Sequence, residues 1–196
     1  VTLMQRACII QQADSMASQA ELEKAIAVMK ASIVPERLEN CYANLCRAYH
    51  NLGNARVLNE DRNAALESYD KAVHCGEKVV ELTGNQLNRD LAGALVERAS
   101  CRRRLETGDP GEDFERAIKI LEAQYQGQKE GKSSVNLVNI YTQYGGYLSL
   151  NDRQEEGLYY LLKAEGIVDT LYESEGWRDL LKYIGINLYN KSACLY

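Results

Sequence analysis

The sequence predicts an all-α protein, an α-α superhelix of antiparallel helix pairs, and three observations support this fold class. Apolar residues recur at i, i+3, i+4 and i+7 along most of the chain, whereas alternation at period two is rare. Only two prolines are present, Pro35 and Pro110, and both fall between apolar stripes. The stripes also repeat in pairs, and stacked helical hairpins need such pairs to bury a continuous core.

The apolar stripes, taken in chain order, predict roughly eight or nine helices joined by short turns. From the N-terminus, the stripes lie at 22–29, 42–52, 65–73, 91–105, 114–121, 137–148, 158–164 and 181–188. Between them stand glycine, asparagine, aspartate and proline, the residues that end helices and form turns. The predicted breaks are at 13–15, 34–35, 53–54, 83–85, 108–110, 127–134 and 151–152.

The pair of helices around residues 141–164 shows the repeat most clearly. Its packing positions have the offsets 0, 3, 4, 7, 16, 20 and 23, and they are Tyr141, Tyr144, Gly145, Leu148, Gly157, Leu161 and Ala164. These offsets resemble the tetratricopeptide repeat (TPR), W-x2-L-G-x2-Y followed by A, F and A. First-helix patterns of the same kind recur at 42–49 and 181–188, and a degenerate copy lies at 95–117.

The spacing between successive pairs indicates a long version of this repeat. Ala25 to Tyr42 and Ala164 to Leu181 each span 17 residues, where a 34-residue repeat would leave about 11. The second helices are therefore predicted to be longer by about one and a half turns. This makes the chain similar to long-repeat TPR proteins such as kinesin light chains. We expect one helical domain over 1–196, cut from a longer protein, with repeats at about 1–34, 36–84, 86–130, 135–175 and a partial one at 176–196.

Composition narrows the class of protein. The formal net charge is −5, from 23 basic and 28 acidic residues, which argues against a nucleic-acid partner. No apolar run approaches the ~18 residues of a membrane span. The six cysteines include no CxxC pair, and only two histidines are present, so the sequence predicts free thiols, no metal site and no cofactor. A cytoplasmic, reducing location is expected from this pattern of cysteines.

The resemblance to TPR proteins implies a peptide-binding surface on the first helices, at positions that face away from the core. Arginines there could pair with a carboxylate or phosphate, and amides could bond a ligand backbone, so we expect an acidic peptide partner. The alternative for the arginine run at 102–104 is a solvated helix end whose charges favour the helix dipole. The candidate residues are Asn40, Asn44, Arg47, His50, Asn51, Arg103, Arg104, Asn139, Gln143, Gly146, Lys182, Tyr183 and Tyr189.

The function expected from this resemblance is a scaffold or adaptor without catalytic residues. A regulatory or ligand-sensing module of a larger signalling protein or enzyme is the alternative. A chaperone-type carboxylate clamp is not expected, because its positions hold Ala43, Arg47, Thr142 and Gly146. A phosphate-binding loop is also excluded at 127–134, because G-x4-G-K-S would need a glycine where Gln126 stands.

Two adjacent glycines in the clearest pair receive different interpretations. Gly145 falls at the small position where the two helices of a TPR pair touch, and Gly145→Leu is predicted to cost about 1–3 kcal/mol through overpacking. Gly146 falls on the inner wall, where its bare backbone is predicted to widen the groove or let a ligand approach.

Overall fold

Seven α-helices make up most of the chain that the structure describes. The computed structural model describes residues 15–86, 88–127, 132–172, 186–187, 189–191 and 194. In these residues no strand is present, and one 3-10 turn at Pro35–Arg37 follows the first helix. The helices are α1 (Ser15–Ala31), α2 (Leu38–Leu58), α3 (Arg62–Thr83), α4 (Arg89–Leu105), α5 (Gly111–Gly127), α6 (Lys132–Ser149) and α7 (Gln154–Tyr172). The predicted all-α class is confirmed.

The contacts between helices divide the chain into two compact units. The first unit ends at Asp113 and the second begins at Phe114. In the first unit α1 packs on α2, α2 on α3, and α3 on α4. In the second unit α6 packs on α7. The single domain and the repeat boundaries expected from the sequence stay predictions.

Most helix ends lie where turn residues predicted them. Gly84 ends α3 in a left-handed conformation with φ of 67°, which glycine adopts without strain. Asn88 begins α4, because its side-chain oxygen accepts the Leu91 amide at 3.0 Å. The breaks at 34–35, 83–85, 108–110 and 151–152 are confirmed, and the break at 127–134 lies partly outside the described residues. The break at 13–15 lies partly outside the described residues.

The break predicted at 53–54 is wrong, because α2 continues through it to Leu58. Gly53 is there for packing: a Cβ added to it would lie 2.7 Å from ring carbons of Tyr69 on α3. The turn occurs instead at 59–61, where Glu60 has φ of 62° and Asp61 accepts the Ala64 amide at 3.1 Å. The first helix of this pair is therefore longer than the predicted break at 53–54 implies.

Tyrosines occupy the core positions predicted for them in the second unit. Tyr141 and Tyr144 are 2% and 1% exposed. Their hydroxyls donate hydrogen bonds to Glu122 Oε1 at 2.6 Å and to Glu115 Oε1 at 2.8 Å. Each ring is thus buried while its hydroxyl keeps a partner, as a buried tyrosine requires. In the first unit Tyr69 is buried in the same way, with its hydroxyl donating to Asn54 Oδ1 at 2.8 Å.

Buried thiols of the first unit should resist alkylation in the folded protein. Cys46 and Cys75 are buried, and burial raises their pKa to about 12 and about 11. At pH 8 only roughly one thiol in 10⁴ and one in 10³, respectively, is then the reactive thiolate. We expect iodoacetamide at pH 8 to leave both unmodified during an exposure that labels them fully in urea, with mass spectrometry of tryptic peptides as the measurement. Equal labelling rates with and without urea would contradict this expectation.

Candidate functional site

Helices α2 and α4 lie side by side in the first unit and bring several predicted site residues together. Arg47 Nε on α2 lies 3.4 Å from Asp90 Oδ2 on α4. One turn further along, a Cβ added at Gly93 would lie 3.7 Å from His50 Cε1. Both pairs are 43 residues apart, so the two helices run parallel and in register.

The same register of 43 residues relates Asn54 and Glu97, one turn further along each helix. Tyr69 lies beside both of them. Its hydroxyl donates to Asn54, and its pKa is raised by burial and then by the charge of Glu97. We call the resulting surface the α2–α4 face, and it comprises Asn44, Arg47, His50, Asn54, Asp90, Gly93, Glu97 and Arg104.

Asn40 and Asn44 lie on a groove at the beginning of α2. Both asparagines are exposed. The groove has a volume of about 520 Å³ and is lined by Met29, Ser32, Val34, Arg37, Asn40, Cys41 and Asn44. The spacing of four residues therefore places the two amides on one open surface.

Arg47 is engaged by neighbours within its own unit. Its Nη2 donates to Asn44 Oδ1 at 3.0 Å, and its Nε donates to the Ala43 carbonyl at 3.3 Å. With the ion pair to Asp90, these contacts hold the guanidinium over the α2–α4 face while about half of the side chain stays exposed. Asp90 is a functional candidate that the sequence did not reveal, because nothing local in the sequence shows that α2 and α4 are neighbours.

His50 and Glu97 are enclosed more than a solvated surface would allow. Burial lowers the pKa of His50, although the charge of Asp90 opposes that shift. Burial raises the pKa of Glu97, and the charge of Arg104 opposes that shift. The middle of the face therefore carries an imidazole and a carboxylate whose charged forms are both disfavoured by burial. Asn51, next to His50, is half-buried.

The two candidate arginines at the end of α4 have different environments. Arg104 is exposed, whereas Arg103 is half-buried. Desolvation and the neighbouring charge of Arg104 lower the pKa of Arg103, and its Nε is buried without a hydrogen-bond partner among the described residues. Arg104 is thus the better placed of the two to meet a ligand.

The candidates of the second unit are brought together only in part. Asn139 and Gln143 share one side of α6, where Gln143 Nε2 donates to Asn139 Oδ1 at 2.9 Å. Tyr189 is 75% exposed. Lys182 and Tyr183 lie outside the described residues.

Gly146 differs from the expectation that its bare backbone faces open space. It is buried, and a Cβ added to it would lie 2.5 Å from Asn190 Nδ2. That same amide donates to the Thr142 carbonyl at 3.2 Å, which fixes it over the glycine. The missing side chain therefore makes room for a residue of this chain, and the prediction of an open groove at Gly146 is wrong.

Two further properties of the described residues bear on the class of function. No helix among them is long and apolar enough to cross a membrane. Within the same residues, no group of three histidine, cysteine, aspartate or glutamate side chains could hold a metal ion.

Comparison with solved structures assigns the fold. The chain superimposes on a Podosopora anserina protein described as a kinesin light chain, with nearly identical TPR-like repeats, at a TM-score of 0.58. The chain has a TPR-like fold. Sequence identity is 16%, and the match covers 97% of this chain and 88% of the other. A single-substitution variant of that protein gives a TM-score of 0.59, again at 16% identity, with 97% and 87% covered.

This structural likeness confirms the TPR resemblance predicted from the sequence. No protein-family model matches the sequence, and no curated protein matches it.

Proposed function

We propose that the chain is a protein-interaction scaffold without chemistry of its own, which binds a peptide segment of a partner protein on the α2–α4 face. The observation that carries this proposal is the parallel register of α2 and α4, which joins Arg47 to Asp90 and His50 to Gly93. The register produces one continuous strip of amide, imidazole and charged groups. At Gly93 the strip also has a position with no side chain.

An acidic segment suits this face better than a basic one. Arg104 is exposed, and no residue of the described chain forms an ion pair with it. The Arg47–Asp90 pair is substantially exposed on both sides. Exposed ion pairs of this kind contribute only about 0–1 kcal/mol to stability, so a ligand carboxylate can compete with Asp90 for Arg47.

The remaining candidates extend the proposal to the second unit. There, Asn139, Gln143 and Tyr189 are proposed as contacts for the same class of partner, as are Lys182 and Tyr183. We propose a protein partner inside the cell rather than a nucleic acid, since the chain carries a formal net charge of −5.

Reversing the two arginine charges should weaken binding of acidic peptides. We expect the double substitution Arg47→Glu/Arg104→Glu to raise the Kd about tenfold, because two attractive contacts become repulsive. The measurement is fluorescence anisotropy of the full chain with labelled decapeptides that carry four glutamates, four lysines or only glycine and serine.

Arg62→Glu supplies the matched control for this experiment. Arg62 is exposed at the beginning of α3, where an acidic residue favours the helix dipole. The substitution Arg62→Glu should leave the Kd for the glutamate peptide unchanged. The acidic-peptide proposal is overturned if the lysine peptide binds as well as the glutamate peptide, or if Arg62→Glu weakens binding as much as the double substitution.

A further inference from the structure

A second groove lies on the other side of α2, away from the α2–α4 face. It has a volume of about 610 Å³, within the range of ligand pockets in proteins. From this groove, we infer a second docking site for a partner peptide, one that presents an apolar side chain next to a carboxylate. The residues that would meet such a ligand are Lys30, Ile33, Tyr42, Leu45, Tyr49 and Lys71.

The two sites occupy opposite sides of the same helix. Tyr42, Leu45 and Tyr49 are spaced three and four residues apart, so they form one stripe along α2. At 3.6 residues per turn, this stripe lies about half a turn from Arg47 and Asn44. A ligand in the groove would therefore leave the α2–α4 face uncovered, and each site can exist without the other.

The floor of the groove is apolar and incompletely covered. Leu45 is buried, but Tyr42 and Tyr49 are only half-buried, and Ile33 at the rim is 36% exposed. The sequence assigns both tyrosines to core packing positions, yet the structure leaves part of each side chain accessible in the groove. The Cys75 thiol, which also lines the groove, adds no charge, because burial raises its pKa to about 11. Such a floor suits an aliphatic or aromatic side chain.

Charged residues on the rim of the groove select the ligand residue that follows the apolar side chain. Lys30 and Lys71 are exposed, and neither forms an ion pair with any residue that the structure describes. Asp70 already faces two arginines, Arg98 at 3.2 Å and Arg102 at 3.6 Å. Two lysines are thus opposed by one uncommitted carboxylate of the rim, that of Glu67.

The charged residues of the rim follow one another in a fixed order along α3, and this order gives the groove an acidic end and a basic end. Glu67 and Asp70 precede Lys71, so the acidic part of the rim is followed by a basic residue within about one helical turn. Lys30, at the end of α1, adds to the basic rim. A carboxylate beside an apolar anchor would meet Lys30 and Lys71, whereas a basic residue there would be repelled.

Binding of defined peptides to the full chain tests the inference. The probe is a set of labelled decapeptides, each with one Leu, Ile, Phe, Tyr or Trp followed by two aspartates. In the matched set, two lysines replace the aspartates. We expect the acidic set to bind, and Lys30→Glu or Lys71→Glu to raise the Kd about fivefold each. Ile33→Asp, outside any helix, should also weaken binding without disturbing the fold.

Matched controls stand on the exposed surface of α1. Lys24→Glu and Val28→Asp make the same changes of charge and polarity away from the groove, and they should leave the Kd unchanged. Arg47→Glu/Arg104→Glu should also leave the Kd unchanged, so the proposals for this groove and for the α2–α4 face can be tested separately.

Four outcomes would overturn the inference. The first is equal binding of the lysine and aspartate sets. The second is equal weakening by the groove variants and their controls. The third is binding of free phenylbutyrate as tight as that of the peptides, since it would make the groove a small-molecule site. The fourth is a concentration-dependent dimer, seen by light scattering, that dissociates when Ile33 is replaced by aspartate. In that case the groove would be occupied by a second copy of the chain.

Discussion

Replacing Asp113 with alanine should lower the free energy of unfolding by about 3–5 kcal/mol. The Asp113 side chain is 3% exposed and faces Arg98, whose Nη2 and Nε donate to its two oxygens at 2.6 and 2.8 Å. Arg102 Nη1 donates to Oδ2 at 3.0 Å. The substitution would leave two partly buried guanidinium groups with Asp70 alone, and Asp70 is about half exposed. Removing one member of a buried ion pair is costly because the remaining charge stays desolvated.

Urea unfolding followed by circular dichroism at 222 nm measures this effect. Glu156→Ala is the control, since its ion pair with Arg153 is exposed on both sides, and we expect a much smaller change in the free energy of unfolding. The control should also lose its effect in 1 M salt, which screens exposed charges far more than buried ones. If Asp113→Ala were as mild as Glu156→Ala, the network would not stabilise the fold.

The features of the fold that depend on neighbours in sequence could be predicted, whereas the break at 53–54 could not. Gly84 and Asn88 act on backbone groups within a few residues, so they mark helix ends without reference to the rest of the chain. Glycine followed by asparagine at 53–54 has the same local composition as a turn. Only the ring of Tyr69, sixteen residues away, shows why a glycine is needed inside a helix.

The candidate site shows the same division between local and long-range contacts. The TPR resemblance implies that Arg47 and His50 lie on the side of their helix that faces away from the core, and in the structure both lie beside α4. The resemblance could not give their partners, Asp90 and Gly93, because a parallel neighbour 43 residues away leaves no local signal. Gly146 was misjudged for the same reason, since the residue that covers it, Asn190, is 44 residues away.

Gly145 is the position where one added carbon should disturb the second unit most. A Cβ there would lie 2.8 Å from Leu161 Cγ and 2.9 Å from the Gly157 carbonyl oxygen. The approach is mutual, because a Cβ at Gly157 would lie 2.8 Å from the Gly145 carbonyl oxygen. The small-residue contact predicted from the TPR pattern is thus confirmed as a close crossing of α6 and α7. Leu161 can adjust, but the backbone of Gly157 can move only with its whole helix.

We therefore expect Gly145→Ala to lower the free energy of unfolding by about 1–3 kcal/mol, and Gly145→Leu by about 3 kcal/mol. Gly166→Ala on α7 is the matched control, since nothing lies within 4 Å of a Cβ added there. Alanine is the better helix former, so this control should raise stability by about 0.5–1 kcal/mol. Opposite signs for the same chemical change would show that packing at the crossing, and not helix propensity, requires glycine at 145. A stabilising Gly145→Ala would mean that α6 and α7 do not cross as closely as the structure shows.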